Sequence, residues 1–189
     1  MKLNKPKFWD RKISFYSIVL IPFAFIFWVI TTCRKKFSKM RKFDVPVICV
    51  GNIYIGGTGK TPTSIFLANA LLELGKNPAI VRKYYTNHYD EYDLIKKKFN
   101  NLIIAKNRIL GIYEALNSKN DIVILDDGFQ DFTIKKDVNI ICFNSNQLVG
   151  NGLIIPSGPL RQNLSAIKNS EIILINGYQN EKFEKKILS

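Results

Sequence analysis

The 189-residue chain contains one histidine, His88, so no multi-histidine metal site can be assembled from it. Its three cysteines (Cys33, Cys49 and Cys142) lie far apart and form no CxxC pair. That excludes a disulfide scaffold and a zinc ribbon, and it fits a reducing compartment. With 11 Gly and 7 Pro the chain is neither collagen-like nor of low complexity, and it has no internal repeat. Acidic residues are scarce, 15 against 28 Lys and Arg, which leaves a net charge of +13. What is plentiful is apolar residue: 47% of the chain, ample for a core and incompatible with disorder. The length suits one domain with an appendage.

The position of the positive charge decides what it means. Residues 1–43 carry eleven basic side chains and one acid, Asp10, and so hold +10 of the excess. The remaining residues are close to balanced, which argues against a nucleic-acid partner. Two basic clusters flank Ile13–Cys33, 21 residues without a charge. About 20 apolar residues are needed to cross a bilayer core. Trp9 and Trp28 lie near the ends of the stretch, where aromatic rings favour the membrane interface. A soluble core helix is rarely apolar all round for so long. A secretory signal is disfavoured because RKKFSKMRK follows instead of a small-residue cleavage site. Residues 1–43 therefore read as an N-terminal membrane helix with basic flanks that bind anionic lipid. Basic flanks on both sides leave spanning and interfacial placement open, and Pro22 could kink the helix or make it dip and return.

Beyond a boundary near Phe43, residues 44–189 alternate strand and helix. VPVICV (45–50), PAIV (78–81), LIIA (102–105), DIVIL (121–125), VNIICF (138–143) and EIILIN (171–176) predict strands. Residues 63–74 and 108–116 predict helices, and the tyrosine-rich RKYYTNHYDEYD reads as a loop. The pattern predicts an α/β fold of the P-loop NTPase type, a mostly parallel sheet with helices on both faces.

The chemistry concentrates at two motifs. GGTGKT, residues 56–61, follows a predicted strand and opens a predicted helix. Gly56, Gly57, Thr58 and Gly59 would turn successive N–H groups toward phosphate oxygens, Lys60 would reach the β- and γ-phosphates, and Thr61 would coordinate Mg²⁺. The strict GxxxxGK[ST] pattern fails at one point, where Tyr54 stands at its first glycine. Asp126 and Asp127 close an apolar strand, where an open α/β sheet places its ligands, and would complete the metal site. Asp90, Glu91 and Asp93, His88, Arg82-Lys83 and Arg161 are weaker candidates, each as readily explained by solvation. Taken alone, the residues point to a membrane-anchored P-loop enzyme or ATPase using ATP and Mg²⁺.

GNIYIGGTGKTP, then ILDDGFQ, then GNGLIIPSGPLRQNLSAIKNSEIILING, in that order, resemble the lipid A 4′-kinase (tetraacyldisaccharide 4′-kinase) family from about residue 8 to residue 177. The resemblance implies transfer of the γ-phosphate of ATP to the 4′-hydroxyl of a tetraacyl glucosamine disaccharide 1-phosphate in lipid A biosynthesis. It places the work at the cytoplasmic face of the bacterial inner membrane. It implies Lys60 and Thr61 on the nucleotide and its Mg²⁺, Asp126 and Asp127 near the metal, and Asp90, in Tyr89-Asp90-Glu91, as the base for the sugar hydroxyl. Several positions depart from the family. Its Ser-Arg-Gly-Tyr element is Val81-Arg82-Lys83-Tyr84 here, the histidine after DDGFQ is Asp131, and the stretch between Tyr85 and Asn107 is short. The family continues past Asn176-Gly177 into a second domain that supplies a histidine partner for the aspartate. The expectation is thus a nucleotide half with an incomplete acceptor half. The alternative is a membrane-anchored P-loop ATPase or nucleotide-binding remnant without sugar-kinase activity.

Overall fold

The computed structural model describes residues 5–10, 13–179 and 181–188. Six strands form one fully parallel sheet: β1 (Val47–Gly51), β2 (Pro78–Lys83), β3 (Leu102–Ala105), β4 (Ile122–Asp126), β5 (Val138–Asn144) and β6 (Ile172–Asn176), in the order β3-β2-β4-β1-β5-β6. The helices are α1 (Phe15–Val19), α2 (Ile21–Phe37), α3 (Lys60–Glu73), α4 (Tyr89–Lys96), α5 (Arg108–Asn117) and α6 (Glu181–Leu188).

The strands read as continuous apolar runs because both sheet faces are covered. Successive residues alternate between two cores. Cys49, Val81, Leu125 and Ile141 face the side of α5, with Ile112 and Ala115 from that helix. Val50, Ile80, Ile124 and Cys142 face the other side, with Ile65 and Ala68 of α3 and Ile95 of α4. Helices on both faces, as predicted, follow from this two-sided alternation. Burial in the first core pushes the Cys49 thiol up to about 12, despite Lys136 and Arg108 nearby, so it is inert packing.

Two expectations change. The tyrosine-rich stretch is not all loop, since α4 begins at Tyr89. Tyr92 and Ile95, three residues apart, bury one face of it, and Asp90 and Glu91 suit its N-terminal end. The apolar stretch Ile13–Cys33, expected as a membrane helix that Pro22 could kink, is not one continuous helix. The segment divides at Leu20 into α1 and α2, with Pro22 in the first turn of α2. Proline has no N–H to donate, and its ring would clash with the Ile18 carbonyl in a continuous helix. The 17 residues of α2 rise only about 25 Å. Among the described residues, no helix is long and apolar enough to cross a membrane. α2 buries none of its residues, and its last turn carries Arg34, Lys35 and Lys36. The flanking residues Lys2, Arg11 and Lys12 lie outside the described residues.

Both ends of the N-terminal segment are fastened to the body. Trp9 is buried and its indole donates to the Pro156 carbonyl at 3.0 Å. Phe43, at the expected boundary, joins the core beside the ring of Tyr113. Between these two anchors, α2 brings Phe27, Ile30 and Arg34 beside Arg108 and Asp127.

Candidate active site

β1 is central, flanked by β4 and β5, so the loop leaving its C-terminal end emerges at the crevice where such sheets bind ligands. Gly56–Thr61 occupy that loop and the start of α3. Gly59 caps α3 in the left-handed region (φ 85°), and a Cβ there would lie 2.3 Å from the Asn176 amide nitrogen. Only glycine fits both the dihedral and the space.

The two predicted aspartates diverge in environment. Asp126, at the end of β4, is fully buried. It accepts from the Thr61 hydroxyl at 3.1 Å and the Ser64 hydroxyl at 3.2 Å, and lies 3.2 Å from Arg82 Nη1. Burial pushes its carboxyl above the usual range, and the Arg82 guanidinium offsets only part of that. Asp127 takes a left-handed conformation (φ 59°), rare for a residue with a side chain, which swings its carboxylate over the loop. It lies 3.7 Å from Lys60 Nζ and 3.2 Å from Arg161 Nη1, and its own carbonyl accepts from Arg108 at 2.6 Å. Burial acts on Asp127 too, but the Lys60, Arg161 and Arg108 cations outweigh it and hold the carboxyl below the usual range. Lys60, Thr61, Asp126 and Asp127 are therefore brought together as predicted.

Asp90 is not brought into that group. It lies exposed on the first turn of α4, while its neighbour Glu91 points at the loop and pairs with Arg82 and with His88. One residue along a helix turns the side chain by about 100°, which separates the two. Burial would raise the Glu91 carboxyl, but the hydrogen bond and charge of Arg82 pull it below its ordinary value.

Two cavities adjoin here. One of about 670 Å³ is lined by the 56–61 loop, Arg82, His88 and Glu91, and also by Asp127 and Arg161. A second, of about 580 Å³, shares Asp127 and Arg161. Its walls combine cations (Arg34, Lys83, Arg108) with the apolar Phe27 and Ile30 of α2. Sequence reading missed the part played by α2, and it missed Arg108 and Gln130. Arg108 pairs with Asp131, the residue at the family's histidine position, at 3.3 Å. Gln130 joins Arg161 to the Asn52 carbonyl. The DDGFQ motif carried a signal for Gln130. Arg108 carried none, because it reaches the turn only through the sheet.

The model of the family described as tetraacyldisaccharide-1-P 4′-kinase (LpxK) matches residues 16–188. The chain belongs to this family. Curated members called tetraacyldisaccharide 4′-kinase include one from Pelagibacter ubique, 44% identical over 94% of this chain and 56% of that protein. Another, from Psychromonas ingrahamii, is 34% identical over 91% of this chain and 61% of that protein. Among solved structures, the Aquifex aeolicus LpxK in complex with ATP matches with a TM-score of 0.73 and 28% identity, over 84% of this chain and 58% of that one. This solved relative thus shares the fold, and the chain spans a little over half the length of these relatives.

Proposed function

We propose that the chain carries the nucleotide-binding and transfer half of a lipid A 4′-kinase, which moves the γ-phosphate of ATP to the 4′-hydroxyl of a tetraacyl disaccharide 1-phosphate. The observation that carries this reading is the meeting of the two cavities at Asp127 and Arg161. A triphosphate in the first cavity would present its terminal phosphate there. An acceptor in the second would find cations for its own phosphate and an apolar helix for its acyl chains. The ATP in the Aquifex relative supports the first assignment.

Phosphoryl transfer needs positioning and charge neutralisation more than covalent chemistry. Gly56–Thr61 would hold the phosphates, with Lys60 on the β- and γ-oxygens. The hydroxyl of Thr61 and the carboxylates of Asp126 and Asp127 are hard oxygen donors of the kind Mg²⁺ takes alongside phosphates. The under-compensated charge on buried Asp126 fits such a cation. The ion would offset the phosphate charge. The acceptor oxygen attacks the γ-phosphorus, the bond to the β-phosphate oxygen breaks, and ADP leaves.

The proton of the 4′-hydroxyl needs a carboxylate. Glu91 is tied to Arg82 and its basicity is depressed. The Asp90 carboxylate, on the same turn, is exposed and makes no side-chain hydrogen bond or ion pair among the described residues. We assign the base to Asp90. Asp90→Asn should lower turnover ~100-fold or more and leave ATP affinity within about twofold; normal turnover would reverse the assignment. Glu91→Gln should instead weaken ATP binding, because it releases Arg82.

The acylated acceptor stays in a bilayer, so the enzyme must reach the surface. α1 and α2 expose Phe15, Phe23, Phe25 and Ile26 beside Arg34, Lys35 and Lys36, a pattern suited to an interfacial anchor on anionic lipid. This supports a place at the cytoplasmic face of the bacterial inner membrane. Two assays test the reading. Radiolabel from γ-labelled ATP should appear in the tetraacyl disaccharide 1-phosphate, and ATP hydrolysis without labelled lipid would favour the ATPase alternative. The protein should sediment with phosphatidylglycerol vesicles and not with phosphatidylcholine vesicles, and equal sedimentation would remove the anchor.

A further inference from the structure

Three asparagines, one from the end of each of three neighbouring strands, converge on the phosphate loop. Asn52, just after β1, donates its side-chain amide to the Gly56 carbonyl at 3.4 Å and the Thr58 hydroxyl at 2.9 Å. Asn144, the last residue of β5, donates to the Gly57 carbonyl at 3.4 Å. Asn176, the last residue of β6, donates to the Thr58 carbonyl at 2.7 Å. Three consecutive carbonyls are thus drawn toward the sheet.

A trans peptide is planar, with its C=O and the following N–H pointing in opposite directions. Fixing the carbonyls of Gly56, Gly57 and Thr58 therefore fixes the N–H groups of Gly57, Thr58 and Gly59 on the other side. Among the described residues, none of these three N–H groups donates to a protein acceptor. The same residues line the 670 Å³ cavity. Successive N–H groups turned one way form a concave nest for an anion.

We propose that Asn176 is a positioning residue for nucleotide phosphate. Assisted by Asn144 and Asn52, it holds the loop with its N–H groups already facing the cavity, so that binding need not order them. Asn176 has the shortest of the three amide–carbonyl contacts, and it also packs against Gly59 where the loop turns into α3. It touches no reacting atom and acts through the loop alone. The proposal rests on the reading of this cavity as a triphosphate site.

The test compares Asn176→Asp with Asn144→Asp in the full chain, using titrations with ATP, inorganic tripolyphosphate and adenosine. Aspartate keeps the shape and sets a carboxylate oxygen where an N–H donor was, which repels the Thr58 carbonyl. Asn176→Asp should raise the Kd for ATP and for tripolyphosphate about tenfold or more, with the melting temperature within a few degrees of wild type. Adenosine binding should not change. Asn144→Asp, with the longer contact, should raise both phosphate constants only about twofold to threefold. Unchanged tripolyphosphate affinity in Asn176→Asp would overturn the proposal, as would equal losses for adenosine and tripolyphosphate. A wild-type chain that binds neither ATP nor tripolyphosphate would instead overturn the reading of the cavity.

Discussion

Lys60→Ala should lower phosphoryl transfer ~100- to 1,000-fold while leaving the melting temperature nearly unchanged. The size follows from removing one preorganised cation from the place where phosphate charge develops. The neighbouring cations are already committed. Arg82 is paired with Asp126 and Glu91, and Arg161 with Asp127 and Gln130. Among the described residues Lys60 makes its ion pair with Asp127 at 3.7 Å, a loose contact that a phosphate would displace. Stability should hardly move, because Arg161 and Arg108 remain to neutralise Asp127. Turnover measured with labelled ATP, beside a thermal melt of the same preparation, checks both halves. Transfer within tenfold of wild type would remove Lys60 from its role.

Asp126→Asn should have a comparable effect on Mg²⁺-dependent transfer, ~100-fold or more, and the opposite relation to stability. The folded state raises the Asp126 carboxyl above its ordinary value, so between the unfolded and folded values the folded state binds the extra proton. Stability therefore rises as the pH falls through that window, and the ionised form at neutral pH is a cost. Asparagine removes the charge, keeps one oxygen acceptor and turns its NH2 toward the other hydroxyl, whose oxygen can accept from it, so the neutral-pH melting temperature should hold or rise by a few degrees.

Asp127 runs the other way. Its folded value is lowered, so its contribution is present at neutral pH and is lost as the pH falls below the ordinary carboxylate range. Asp127→Asn should therefore melt lower at pH 7. Melting curves of both variants from pH 3 to pH 8 separate the two (pH values on the order of the reference carboxylate and neutral range). A large drop for Asp126→Asn would mean that the charge, rather than the shape, of that residue supports the fold.

The contrast between these adjacent carboxylates was not readable in the sequence, where they stand as an equivalent pair. It arises because one closes a strand beneath the loop and the other sits on a left-handed turn above it. The same holds for α4. Asp90 and Glu91 look interchangeable in a run of polar residues, and only the helix shows that they point in different directions. The N-terminal stretch could be read for its apolar character and for Pro22, but not for the wall that α2 contributes to the second cavity.

The sequence by itself determined the parallel α/β class, the family, and the glycine-rich loop and paired carboxylates that the sheet brings together. Each of these is written in local pattern: continuous apolar strands, glycines beside a lysine, acids at a strand end. Tertiary structure alone decided which polar residues serve the site. Asn144, Asn176 and Arg161 come from segments far apart in the chain, and the sheet order β3-β2-β4-β1-β5-β6 brings them to one site. The physical reason is that local pattern fixes which residues become strand or helix. The long-range pairing of strands fixes which of their ends become neighbours.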